Sequence, residues 1–216
     1  MGIDFSGSGQ YIDCGTTSGN TLGATTTIGV SFWFNADAQV NDGMFYIGTF
    51  SNAVGAFEIV LSASNFFMRS SGYGITFNQN IAFTDLGNWH HIVGTFTGSF
   101  GDLYLDGVRG VHTAETGTIT FTGLKNIICG YYNTPFLFDG KMFDVRLYTR
   151  GLTQADVDTI YHSRGNDNIT NGLIMRQLMQ GTNGATATTA QDVSPAGVSC
   201  SVTGSPTYLA TAQKLI

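Results

Sequence analysis

Two glutamates, four histidines, three cysteines and one turn segment rich in aromatics are the groups in this 216-residue sequence that could do chemistry. Hydrolysis of a glycosidic bond usually needs two carboxyl groups, ~5–5.5 Å or ~6.5–9.5 Å apart. Glu58 and Glu115 lie far apart in the sequence, and neither sits in a carboxylate cluster. His90 and His91 are neighbours on a strand-like segment, so they point to opposite faces and cannot chelate one ion together. One of the pair is expected to hydrogen-bond within a sheet. His112 and His162 stand alone, and no Gly-x-Ser-x-Gly nucleophile signature occurs. The segment Tyr131-Tyr132-Asn133-Thr134-Pro135-Phe136 has another chemistry. Aromatic rings can stack on a sugar face while an amide binds hydroxyls, so Tyr131, Tyr132, Asn133 and Phe136 are the candidate ligand residues. The same loop would also suit a closed sandwich end or a subunit contact.

Composition narrows the classes further. Charged residues are 11% of the chain, against roughly 25% in ordinary soluble domains. The nine Lys and Arg are scattered and the net charge is −6, so there is no basic stripe for nucleic-acid phosphates. No run of ~18 apolar residues predicts membrane insertion. The start, Met1-Gly2-Ile3-Asp4-Phe5, lacks the apolar core of a secretory signal and reads as a first strand. Cys14, Cys129 and Cys200 form no C-x-x-C pair and are odd in number. They are read as three small buried apolar residues.

The elements that would position these groups are short strands separated by Gly, Asn, Asp, Ser and Thr. Ile28 to Asn35, Trp89 to Phe96 and Gly140 to Tyr148 lead a series whose spacing indicates a sandwich or barrel. Leu103-Tyr104-Leu105-Asp106-Gly107-Val108 predicts a tight hairpin, because Asp-Gly accepts the positive φ angles of a type I′ turn. One helix is predicted near 153–164. Thr153 is its N-cap, Asp156 completes an approximate capping box, Leu152 and Val157 form a staple, and Gly165 ends it. Beyond Gly165 the composition shifts to Thr, Ala, Gly and Ser. The division is therefore 1–165 as one unit and 166–216 as a C-terminal extension that adds strands or docks on a neighbouring subunit.

Four segments in order resemble laminin-G-like, concanavalin A-like jelly rolls. They are Phe32-Trp33-Phe34; Asn88-Trp89-His90-His91-Ile92-Val93-Gly94-Thr95-Phe96; Leu103-Tyr104-Leu105-Asp106-Gly107; and Phe138 to Tyr148 followed by Arg150-Gly151-Leu152-Thr153. The resemblance covers residues 1 to about 164. It implies an all-β fold, a two-sheet antiparallel sandwich. It also places Asp144 in a structural D-x-V-R pattern, and the Glu-x-Asp-x-Glu cluster of the glucanase relatives is absent here. Laminin-G-like domains often hold calcium at a loop rim, through oxygen ligands that suit a hard cation. By position the ligands would be Asp13, Asp42, Asp85, Asp102 and Asp139, all near strand ends.

The resulting expectation is a non-enzymatic binding or assembly module. The first form is a lectin-like protein on a virion surface, as a phage capsid decoration, fibre or tail protein, with other subunits as partners. The alternative is a glycan-binding lectin domain of a bacterial protein, extracellular or at the cell surface by a non-classical route. A glycoside hydrolase relative is the remote alternative.

Overall fold

Alternating apolar residues make most of the strands, and glycines with short polar residues turn the chain between them. The computed structural model describes residues 2–39, 42–49, 55–130 and 137–209. In chain order the first elements are β1 (Ile3–Ser6), β2 (Tyr11–Asp13), α1 (Thr17–Leu22), β3 (Ala24–Thr25), β4 (Ile28–Ala36), β5 (Asp42–Gly48), β6 (Phe57–Ser62), β7 (Asn65–Ser70) and β8 (Phe77–Ala82). Next come β9 (His90–Phe96), β10 (Phe100–Leu105), β11 (Val108–Ala114), β12 (Ile119–Thr120), β13 (Lys125–Ile128) and β14 (Asp139–Tyr148). The last are α2 (Gln154–Ser163), β15 (Leu173–Gln177), β16 (Thr189–Ala190), β17 (Cys200–Thr203) and β18 (Thr207–Tyr208).

Two antiparallel sheets face each other. The first has the order β11-β10-β9-β4-β14-β1-β18, with β15 also paired to β14. The second has the order β16-β17-β2-β13-β5-β6-β7-β8. The core between them is built from Phe32, Phe34, Ile92 and Phe96 of the first sheet and Phe45, Phe57, Ile59, Phe66 and Met68 of the second, all buried. A large side chain of this kind stabilises by roughly 1.5–3 kcal/mol when fully buried. The fold is thus the expected all-β sandwich.

The hairpin turns at Asp106 (φ 51°) and Gly107 (φ 80°), the two positive angles of a type I′ turn. Helix α2 begins with a complete capping box: the Asp156 N–H donates to Thr153 Oγ1 at 3.2 Å and the Thr153 N–H to Asp156 Oδ2 at 2.9 Å. Arg150 grips the same carboxylate through Nη1 and Nη2 at 2.7 and 2.9 Å. That contact holds Asp156 down to about 2, against the opposing effect of burial. At the other end Arg164, ahead of Gly165, already takes the left-handed conformation (φ 49°). Leu152, Val157 and Ile160 bury against Val93, Tyr104 and Tyr148 on the outer face of the first sheet. Strand β9 is therefore covered on both faces, as its apolar alternation requires.

The residues after α2 enter both sheets. β15 and β18 pair with β14 and β1, while β17 pairs with β2. Here the reading of the cysteines needs correction. Cys14 and Cys200 form a disulfide, and only Cys129 remains a free, buried thiol among the described residues. The partners stand 186 positions apart, so the pair becomes visible only when β17 is laid beside β2.

Candidate functional site

A buried polar cluster joins strand β14 to the chain that follows helix α2. Strand β14 bulges between Phe143 and Arg146, with Asp144 at a left-handed φ of 52° that Asp tolerates better than most residues. The bulge turns Asp144 toward the wholly buried Arg146 and bonds it to Arg146 Nη2. Arg146 also forks onto Asp167 at 2.6 and 2.7 Å. Arg176 bonds Asp144 Oδ1 through Nε at 2.7 Å and the Gly165 carbonyl through Nη2 at 2.7 Å. Burial opposes the Arg146 charge, but the Asp167 and Asp144 contacts outweigh it and hold the guanidinium above its ordinary range. A side chain with no exposed surface touches no substrate. The D-x-V-R segment therefore fastens residues 165–176 to the sheet.

His91 belongs to this cluster. Its Nε2 lies 2.8 Å from Ser31 Oγ, and its ring sits 5.0 Å from that of Trp33, on which Tyr161 stacks. Burial, reinforced by the nearby Arg146 charge, pushes His91 down to about 3. The folded protein therefore binds this proton less readily than the unfolded chain. The His91 contribution is present in full above the unfolded value of about 6.5 and is lost as pH falls toward 3. At about 1.4 kcal/mol per pH unit, roughly 2–3 kcal/mol should go between pH 6.5 and 4.5. Urea melts at both pH values, compared with those of His91→Gln, isolate this contribution. Equal pH slopes would refute it.

His90 points the other way. Its Nδ1 meets Asp106 Oδ2 at 2.7 Å, and that contact outweighs burial and raises its pKa. His112 contacts Asp102 at 2.5 Å and stacks on Phe100, with ring centres 4.3 Å apart. His162 contacts its own helix, at the Asp158 carbonyl.

The five aspartates implied as calcium ligands are not brought together. Asp13 in β2 accepts the Gly15 N–H at 2.8 Å and pairs with Lys125 at 2.9 Å. Asp42 is buried at the start of β5. Asp85, in the loop after β8, accepts from Asn88 at 2.7 Å. Asp102 in β10 faces His112 and Arg109, and Asp139 opens β14 opposite Ser6. Among the described residues no three His, Cys, Asp or Glu side chains gather where they could hold a metal. Calcium takes 6–8 oxygen ligands, and these five carboxylates do not form a shared set for it.

Tyr131, Tyr132, Asn133 and Phe136 lie outside the described residues. The chain leaves the second sheet at Gly130, packed on Tyr11, and returns at Leu137, bridged to Gly43. Tyr73, in the loop between β7 and β8, bonds Thr49 through its hydroxyl at 2.9 Å.

The outer face of the second sheet holds a group that local sequence reading passed over. Its register aligns Asp13, Ile127, Tyr46, Glu58, Arg69 and Asn78 in one row, and Val60, Phe67 and Asn80 in the next. Tyr46, Glu58 and Val60 are buried in the middle of the face. Toward β7 and β8 the surface opens: Phe67, Arg69 and Asn65 are partly exposed, and Asn78 and Asn80 are exposed. Arg69 pairs through Nε with Glu58 at 2.7 Å, and its guanidinium carbon lies 5.6 Å from the Phe67 ring centre. The Gly55 N–H donates to the other Glu58 oxygen at 3.1 Å, which fixes the acid from behind. Neighbouring strands are ~4.8 Å apart and alternate residues roughly 7 Å. An accessible aromatic ring is therefore bordered by two amides and a guanidinium within the span of one or two pyranose rings. At the far side of this sheet an open groove of about 420 Å³ is lined by Asp13, Gly15, Lys125, Ser199, Cys200 and Ser201. It has no aromatic wall.

A family model described as the concanavalin A-like lectin/glucanases superfamily, of laminin-G type, matches residues 6–158. Among solved structures, a candidate carbohydrate binding protein from Bacteroides ovatus superposes with a TM-score of 0.72 at 14% identity. The match takes in 100% of this chain and 61% of that one, so the chain spans less than two thirds of that relative. A heptameric SAP-like pentraxin from Limulus polyphemus gives 0.65 at 17% identity, with 94% of both chains covered. Domain 4 of the extracellular arabinanase AbnA from Geobacillus stearothermophilus, solved with arabinotriose, gives 0.54 at 15% identity, over 72% of this chain and 74% of that one. At these identities the likeness is one of fold. No functionally curated protein matches the sequence.

Proposed function

The chain belongs to the concanavalin A-like lectin/glucanase superfamily, and from that premise we propose that it is a non-catalytic glycan-binding module whose site is the β7–β8 flank of the second sheet. The observation that carries the reading is the partly exposed Phe67 ring, set between Asn78, Asn80 and the Arg69–Glu58 pair. Apolar CH faces of a sugar stack on such a ring, and the amides and guanidinium bind its hydroxyls. The Bacteroides relative, a candidate carbohydrate binding protein, and the Geobacillus domain, solved with arabinotriose, support this reading.

Geometry argues against hydrolysis on this face. Glu58 and Asp13 share a row but are separated by three strand spacings, roughly 14 Å, beyond the ~9.5 Å limit of an inverting pair. Glu58 is also buried and committed to Arg69.

Phe67→Ala should weaken binding on a glycan array about 10- to 100-fold, the loss typical of a central aromatic anchor. Far-ultraviolet circular dichroism checks that the fold is kept. Retention lost in Tyr131→Ala and Tyr132→Ala but kept in Phe67→Ala would move the site to the aromatic loop.

The disulfide supports an exterior, oxidising setting. A virion surface and a bacterial cell surface both satisfy that condition. Assembly with other subunits is a second reading, favoured by β11. That strand ends the first sheet with most of its residues exposed, and Val108 is 69% exposed. An unpaired edge of this kind invites strand pairing. Light scattering that gives a single-chain mass at all concentrations would remove its support.

A further inference from the structure

We propose that the β7–β8 flank takes an uncharged saccharide chain and excludes sulfated or carboxylated ones; this rests on the glycan-binding reading above. Among the described residues, the charged side chains of the outer face occur as ion pairs. Arg69 is joined to Glu58 at 2.7 Å and Lys125 to Asp13 at 2.9 Å. Both acids are less exposed than their cations, and Glu58 has no exposed surface, so each positive group has a carboxylate fixed behind it. A polyanion gains affinity by placing its groups on uncompensated cations and releasing their counterions. Here that gain is cancelled, and a net charge of −6 adds long-range repulsion.

Among the described residues the flank also presents the amides of Asn65, partly exposed, and of Asn78 and Asn80, exposed, which donate and accept without charge. They suit hydroxyl groups. The guanidinium stays useful as a planar set of N–H donors at the margin of the Phe67 ring.

Affinity electrophoresis in gels containing dextran, galactomannan or arabinan, and separately heparin or polygalacturonate, tests this at 20 and 500 mM NaCl. The expected result is retardation by at least one neutral polymer, changing less than 2-fold with salt, and none by the polyanions. Glu58→Gln should then create heparin retardation at 20 mM that vanishes at 500 mM, because Arg69 is uncovered. Heparin or polygalacturonate retarding the wild type at 20 mM and releasing it at 500 mM would overturn the proposal while leaving glycan binding intact. Retardation by no polymer would overturn the glycan reading and the proposal with it. A dimer that Phe67→Ala dissociates would also overturn both, since a second copy would then occupy the face.

Discussion

Replacing Arg146 by Ala is expected to cost roughly 3–5 kcal/mol of stability, the usual penalty for removing one partner of a buried ion pair. The guanidinium has no exposed surface and holds Asp167 through two bonds and Asp144 through a third. Its loss leaves Asp167 buried with only the Ile169 N–H as a further donor to its carboxylate among the described contacts. Asp144 keeps Arg176. Burial opposes the Asp167 charge, but Arg146 outweighs it and holds the carboxyl below its ordinary range. The stability from this pair is therefore present above the unfolded value of about 3.8 and lost as pH falls through the folded one. Urea melts read the cost. Asp167→Asn, a smaller change, should be milder and should still yield folded protein if the alanine variant does not. A shift below about 1 kcal/mol in both would mean that the cluster does not fasten residues 165–176.

Opening the disulfide is expected to cost about 2–5 kcal/mol. The partners are 186 positions apart, and a closed loop of that length removes much unfolded-chain entropy, roughly 5 kcal/mol in the chain-entropy model. The folded state also depends on it locally, because β17 is short and pairs with β2 over three residues. Thermal melts with and without reductant, compared with Cys14→Ala/Cys200→Ala, give the number. Thiol titration gives the covalent state: one reactive thiol, Cys129, after unfolding of the oxidised protein, and three after reduction. Three thiols without reduction would contradict the pairing.

Much of the scaffold was legible because its signals are local. The Asp106-Gly107 turn needs two positive φ angles, and Thr153 to Asp156 fills its own capping box. Strand β9 carries Ile92 and Phe96 on one face and Val93 on the other, which suits a central strand, and both it and β4 are buried throughout. Other features depend on distant parts of the chain. Helix α1 is six residues, five of them weak helix formers, and its Gly19 sits against the Phe121 and Leu124 carbonyls, where a Cβ would find no room. Cys14 and Cys200 share no local signature. Strand β8 carries little local strand signal, since Asn78 and Asn80 have low strand propensity. Its Phe77 and its pairing with β7 make it a strand. Asn78 and Asn80 form the margin of the proposed site, so the site was hidden for the reason that the strand was.

The most direct test of the account is chemical-shift mapping of backbone amides with the strongest glycan from the array. The prediction is that perturbations centre on residues 65–70 and 77–82 and disappear in Phe67→Ala. Perturbations confined to the 131–136 loop, to β11, or to the Asp13–Lys125 groove would contradict it.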